Sequence, residues 1–84
     1  MSINKKEIEN KVIKVLAEKA CTVENKIHPG SLLIDDLAMD SLDAVEAVFE
    51  FEEHYGMEID DDDIRNFRKV QDIVDYIEDR LRNG

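Results

Sequence analysis

Asp40-Ser41-Leu42-Asp43 opens the run Ala44-Val45-Glu46-Ala47-Val48-Phe49, and this segment is the best arranged in the chain to do chemistry. The order of residues predicts a helix start. Asp40 can accept a bond from the backbone N–H of Asp43 while the Asp43 carboxylate reaches back, a short version of the capping box. Ser41 is then the first helical residue. Its hydroxyl points toward solvent beside unpaired backbone N–H groups and the positive end of the helix dipole, where an attached phosphodiester would sit favourably. The chemistry suggested is a tether rather than a nucleophile, because the sequence positions no base beside the hydroxyl. Taken alone, the tripeptide Asp40-Ser41-Leu42 would mean only a capped helix.

The other reactive residue types carry weaker signals. Cys21 is the lone cysteine, so no internal disulfide can form, and it is expected to be a small packing residue. Its sharper alternatives are an intermolecular disulfide or a mixed disulfide with a prosthetic thiol. His28 and His54 have no second ligand at suitable spacing. Asp60-Asp61-Asp62-Asp63 lacks the glycine and distal glutamate of an EF-hand loop, so no dedicated metal site is expected. No catalytic residue is assigned, and the chain is not expected to be an enzyme.

Charge adds a second argument. Residues 35–63 hold 13 acids and no Lys or Arg, whereas the other 55 residues hold 8 acids and 11 bases. The net charge of -10 is thus concentrated at one end, a single-sign field that steers basic partners and disfavours nucleic acid and anionic membranes. With 84 residues the chain is expected to form one domain, 1–84. It has no apolar stretch of membrane-spanning length, and its first six residues lack the apolar run of a signal peptide. A cytoplasmic monomer without membrane insertion is the expectation.

The elements that must position Ser41 are helical. Ile8, Val12, Val15 and Leu16 share one face of a first helix over residues 5–19, with Asn4 and Glu7 at its start. A long loop over residues 22–39 follows, with His28-Pro29-Gly30-Ser31 as its turn and Leu32, Leu33, Ile34 and Leu37 as apolar anchors. The second helix spans residues 41–55 and ends at Gly56, with Phe51 facing inward and Phe49 near the rim. A short third helix begins in the aspartate run and carries Ile64 and Phe67. Val70, Ile73, Val74, Ile77 and Leu81 then define a final amphipathic helix that ends near Arg80 and Arg82. The fold class is all-α: a small four-helix bundle of three longer helices and one short one, with a long loop between the first two.

These residues resemble a known family. Leu37-Ala38-Met39-Asp40-Ser41-Leu42-Asp43, Val45-Glu46, Phe51-Glu52-Glu53, Glu58-Ile59 and the stretch from Val70 to Ile77 are similar, in order and spacing, to the acyl carrier proteins of fatty-acid and related synthesis. The resemblance implies that Ser41 receives 4'-phosphopantetheine from coenzyme A through a phosphopantetheinyl transferase, with Asp40 and Leu42 completing the attachment motif. It also implies that the arm carries acyl thioesters to acyl-processing enzymes bearing basic docking patches. The matching docking positions are Asp43, Val45, Glu46, Phe49, Glu52, Glu53 and Ile59, beside Asp40 and Leu42.

Several positions depart from the family pattern. Ala38 replaces the usual glycine before the motif, and Asp60 replaces a frequent proline. Arg65 stands where many members have an acid, with Arg68 and Lys69 close behind, while Ala47 and Phe51 occupy positions where leucine is common. A specialised carrier is therefore one expectation beside the general one. The alternative from another class is an acidic helical interaction or assembly module with no prosthetic group.

Overall fold

The computed structural model describes residues 4–83; residues 1–3, the start of the segment read above for a signal peptide, and residue 84 lie outside it. Four α-helices follow one another: α1 (Lys5–Ala20), α2 (Ser41–Tyr55), α3 (Asp61–Arg65) and α4 (Val70–Asn83). One 3-10 turn, Glu24–Lys26, lies in the loop between α1 and α2. The helices bury their apolar stripes against one another, with α1 packed against both α2 and α4. Among the described residues no helix is long and apolar enough to cross a membrane.

Helix α1 begins at Asn4, whose side chain accepts from the backbone N–H of Lys6 at 2.9 Å. The expected partner Glu7 contributes its own N–H, which donates to the Asn4 carbonyl. Ile8, Val12, Val15 and Leu16 are buried as their spacing requires. At the other end Cys21 takes the left-handed conformation at φ 55, and the Thr22 N–H returns to the Ala17 carbonyl in a Schellman-type turn. That turn puts Cys21 in an exposed position, which corrects the expectation that it packs in the interior.

The long loop is held by the segment before α4. Leu33 N–H donates to the Arg68 carbonyl at 2.9 Å, Val70 N–H to Ser31 at 3.0 Å and Gln71 N–H to Pro29 at 2.8 Å. An isolated antiparallel bridge pairs Leu32 with Lys69, and no strand is present among the described residues. Residues 32–39 coil into successive turns in which the Asp36 and Leu37 N–H groups donate to Leu32, Ala38 to Ile34 and Met39 to Leu33. With helix-like spacing, only Leu33 and Leu37 of the four expected anchors reach the core. Leu32 and Ile34 stay outside at 38% and 71% exposure, correcting their expected role.

Helix α2 has the predicted bounds. Asp43 N–H donates to Asp40 Oδ1 at 2.8 Å, and Asp40 N–H donates to Asp43 Oδ2 at 3.4 Å, so the capping box is present with one strong and one long arm. Gly56 ends the helix at φ 63, a left-handed conformation favoured by the absence of a Cβ. Phe51 is fully buried beside Ala47 and Val48, while Phe49, two residues away, is exposed. Helix α3 carries Ile64, but Phe67 lies just past its end. The phenol of Tyr76 on α4 donates to Asp63 at 2.9 Å, and Arg80 donates to both the Tyr76 oxygen at 2.7 Å and the Glu58 carbonyl at 2.9 Å. This chain of bonds ties the short helix and the segment before it to α4.

Candidate functional site

Ser41 is the first residue of α2 and is exposed. Asp40 and Asp43 satisfy each other around it, and Ala44 N–H donates to the Asp40 carbonyl at 3.1 Å. The N–H groups of Ser41 and Leu42 have no acceptor among the described residues, as the open first turn of a helix requires. A hydroxyl on such a turn can carry an anionic substituent within reach of two free donors and the positive end of the helix dipole.

A groove of about 520 Å³ starts at this hydroxyl. Its walls are Leu33, Ile34 and Met39 from the loop, Ala44 and Val45 from α2, and Ile64 and Phe67 from the α3 region. Asp40, Asp61 and Arg65 supply the charges along it. Beneath lies a much smaller void of about 20 Å³ that shares Leu33, Met39, Ala44, Ile64 and Phe67 with the groove. Leu16, Ala47, Val48 and Ile73 close it from the core side. An apolar path therefore leads from the serine toward the interior, but the interior end is nearly filled.

The expected docking residues fall into distinct groups. Leu42 and Phe49 are exposed at 64% and 59%, and the exposed Glu46 and Glu53 lie on the same flank of α2. Asp43 and Val45 are half-buried near the start of the helix. Glu46 and Glu50 approach Lys19 of α1, with carboxylate oxygens 4.0 and 3.5 Å from its Nζ. The Glu50 oxygen is shut from solvent and makes no close hydrogen bond, so Lys19 is its electrostatic partner at this longer distance. One side of the acidic face is thus already compensated within the molecule.

Two docking expectations change character. Ile59 is only 6% exposed and packs in the core, so its side chain is not available to a partner in this structure. The half-buried Glu52 accepts from the Ile59 N–H at 2.7 Å, across seven residues, and thereby holds the segment after α2 against the helix. Both residues shape the edge of the surface by positioning the chain.

Sequence reasoning did not identify Leu33, Met39, Ile64 and Phe67 as walls of one groove. The spacing of Leu33 and Leu37 and the place of Met39 immediately before Asp40 are local signals, but their meeting with Ile64 and Phe67 depends on the bonds between the loop and residues 68–71. Lys19 likewise reaches α2 only through packing of α1. Among the described residues no group of three or more His, Cys, Asp or Glu side chains is placed to hold a metal ion. Burial chiefly, and then the bond to Asp63, pushes the Tyr76 phenol above its ordinary pKa, while Arg80 opposes both.

Comparison with known proteins adds independent findings. A family model described as a phosphopantetheine attachment site matches residues 10–77. The acyl carrier protein of Thermotoga maritima is 41% identical over 78 residues, covering 93% of this chain and 96% of the relative. That of Buchnera aphidicola is 44% identical over 70 residues, covering 83% and 90%. That of Nitratidesulfovibrio vulgaris is 36% identical over 73 residues, covering 87% and 96%.

Proposed function

The chain belongs to the acyl carrier proteins, whose covalent 4'-phosphopantetheine arm carries acyl groups, and from that premise we propose that Ser41 is the point of attachment in a single non-catalytic carrier domain. The observation that supports this most directly is the exposed hydroxyl at the first position of α2, beside free N–H groups and at the head of an apolar groove. These features fit the arm: the donors face a phosphodiester on the serine, and the groove offers apolar walls to what hangs from it. When bound, the arm supplies a thiol that holds cargo as a thioester. The protein's own part is to anchor the arm, shelter its cargo and present both to a docked enzyme, where tethering raises local concentration.

Docking is assigned to the flank of α2 that bears Leu42, Glu46, Phe49 and Glu53, joined by Asp43 and Val45 nearer the serine. Exposed carboxylates give long-range steering toward basic patches, and the two exposed apolar side chains give short-range contact that can be released quickly. The partners proposed are a phosphopantetheinyl transferase and the acyl-processing enzymes of fatty-acid or related synthesis.

The test is the intact mass after incubation with coenzyme A, magnesium and a phosphopantetheinyl transferase. Wild type is expected to gain one arm and Ser41→Ala none, while the Ser41→Ala helix content stays unchanged and its stability remains within about 0.5 kcal/mol, as for an exposed substitution. Modification of the alanine variant would refute the attachment site. Failure of wild type with several transferases would favour an acidic interaction module.

A further inference from the structure

The groove beside Ser41 has one feature that the acidic field around it does not predict. Of the charged residues that line it, Asp40 and Asp61 are acids and Arg65 is the cation. Arg65 closes the last turn of α3, two residues after a stretch, residues 35–63, that contains no Lys or Arg. The carboxylate nearest to it is Asp62 on the same helix, 3.9 Å away, with the two side chains 80% and 93% exposed. A pair so long and so wet contributes little, and it leaves most of the guanidinium's five donors free.

Apart from Ser41 the rest of the lining is apolar, running from Met39 and Val45 near the serine to Ile64 and Phe67 beside Arg65. Apolar walls with a planar cation at one edge complement an acyl chain whose far end is a carboxylate. An uncharged chain gains from the walls alone and makes no use of the guanidinium. Without Arg65 the carboxylates of Asp40 and Asp61 would repel an anionic chain end from this groove.

We propose that Arg65 binds the terminal carboxylate of an acyl chain long enough to lie along the groove, as in an adipoyl half-thioester, and so adapts this carrier to such dicarboxylic cargo. The proposal rests on the reading of Ser41 as the attachment site. Arg65 acts on the cargo by charge and by its fork of donors, and no bond is made or broken.

The experiment loads wild type, R65Q and R65K from adipoyl-coenzyme A, isotope-labelled at the free carboxyl, and from hexanoyl-coenzyme A as the uncharged match. NMR follows the carboxyl titration and the Arg65 side-chain signal. The expected result is a carboxyl that titrates about half a pH unit lower in wild type than in R65Q, the size of an exposed ion pair, with R65K recovering part of the difference. The Arg65 signal should move with adipoyl cargo and stay in place with hexanoyl cargo. Equal titration in wild type and R65Q overturns the proposal. So does an Arg65 signal that moves as much in the cargo-free, arm-bearing protein, since the phosphodiester is then its anion. A wild type that takes up no arm at all, seen by mass before any titration, refutes the tether reading instead.

Discussion

Replacing Glu52 separates two roles that one acidic residue on α2 can play. Its carboxylate accepts from the Ile59 N–H at 2.7 Å in a part-buried setting, and Ile59 itself is a core residue. A hydrogen bond to a charged acceptor contributes about 1.5–3 kcal/mol, so Glu52→Ala should lose about 2 kcal/mol. For a domain of this size that corresponds to a fall in Tm of about 8–16 °C. Glu52→Gln keeps an acceptor of the same length but a neutral one, roughly half as strong, and should lose about 1 kcal/mol. Both variants delete the same charge. If Glu52 also steers docking, the kcat/KM for arm transfer at low salt should fall by the same factor in both, at a temperature where both are folded. Thermal unfolding by circular dichroism and transferase kinetics read the two effects apart. An alanine variant that melts within about 2 °C of wild type would refute the structural role assigned from the 2.7 Å bond, as would a glutamine variant no more stable than alanine.

Other perturbations test other parts of the molecule. Glu46→Lys reverses an exposed charge and sets a second cation beside Lys19, now 4.0 Å from the Glu46 carboxylate. Its transfer rate should drop well below wild type at low salt and converge on it near 1 M, where the screening length is about 3 Å; parallel rates across salt would sink the steering argument. Ala38 holds a left-handed conformation at φ 54, so Ala38→Gly should raise stability by about 0.5–1 kcal/mol in denaturant unfolding, the relief of strain outweighing the greater freedom of the unfolded chain. A less stable glycine variant would contradict that reading. Tyr76→Phe removes the donor to Asp63 and the acceptor for Arg80 and should cost about 1–2 kcal/mol near neutral pH. Because burial first, and Asp63 second, raise the phenol's pKa in the folded state, its contribution is complete below about pH 10 and is lost as pH rises through the higher folded value. The gap between wild type and Tyr76→Phe should therefore narrow in alkali, with Tyr55, also raised by burial, adding the same slope to both proteins. A gap that is constant with pH would show that the Tyr76 hydroxyl makes no such contribution.

Much of the site was legible before the fold because its signals are local. A capping box, a helix start and the assignment of Phe51 to the core and Phe49 to the rim depend on residues a few positions apart, whose geometry the helical repeat dictates. The apolar stripes of the three longer helices are local in the same way, which is why the all-α architecture follows from their spacing. The loop was harder. Leu32, Leu33, Ile34 and Leu37 have similar hydrophobicity, and only the turns over residues 32–39 and the bonds to Arg68, Val70 and Gln71 decide which two are buried. Cys21 was misplaced because a left-handed cap, invisible in composition, sets its direction.

The amino-acid order by itself determined where the serine sits, what caps it and which segment of the chain is acidic, since each is a property of neighbouring residues or of a charge count. Tertiary structure alone decided that Glu52 holds Ile59, that Lys19 compensates Glu46 and Glu50, and that Arg65 shares a groove with Ser41. Those relations join residues from separate elements, and only packing of the helices and closure of the loop bring their side chains within reach.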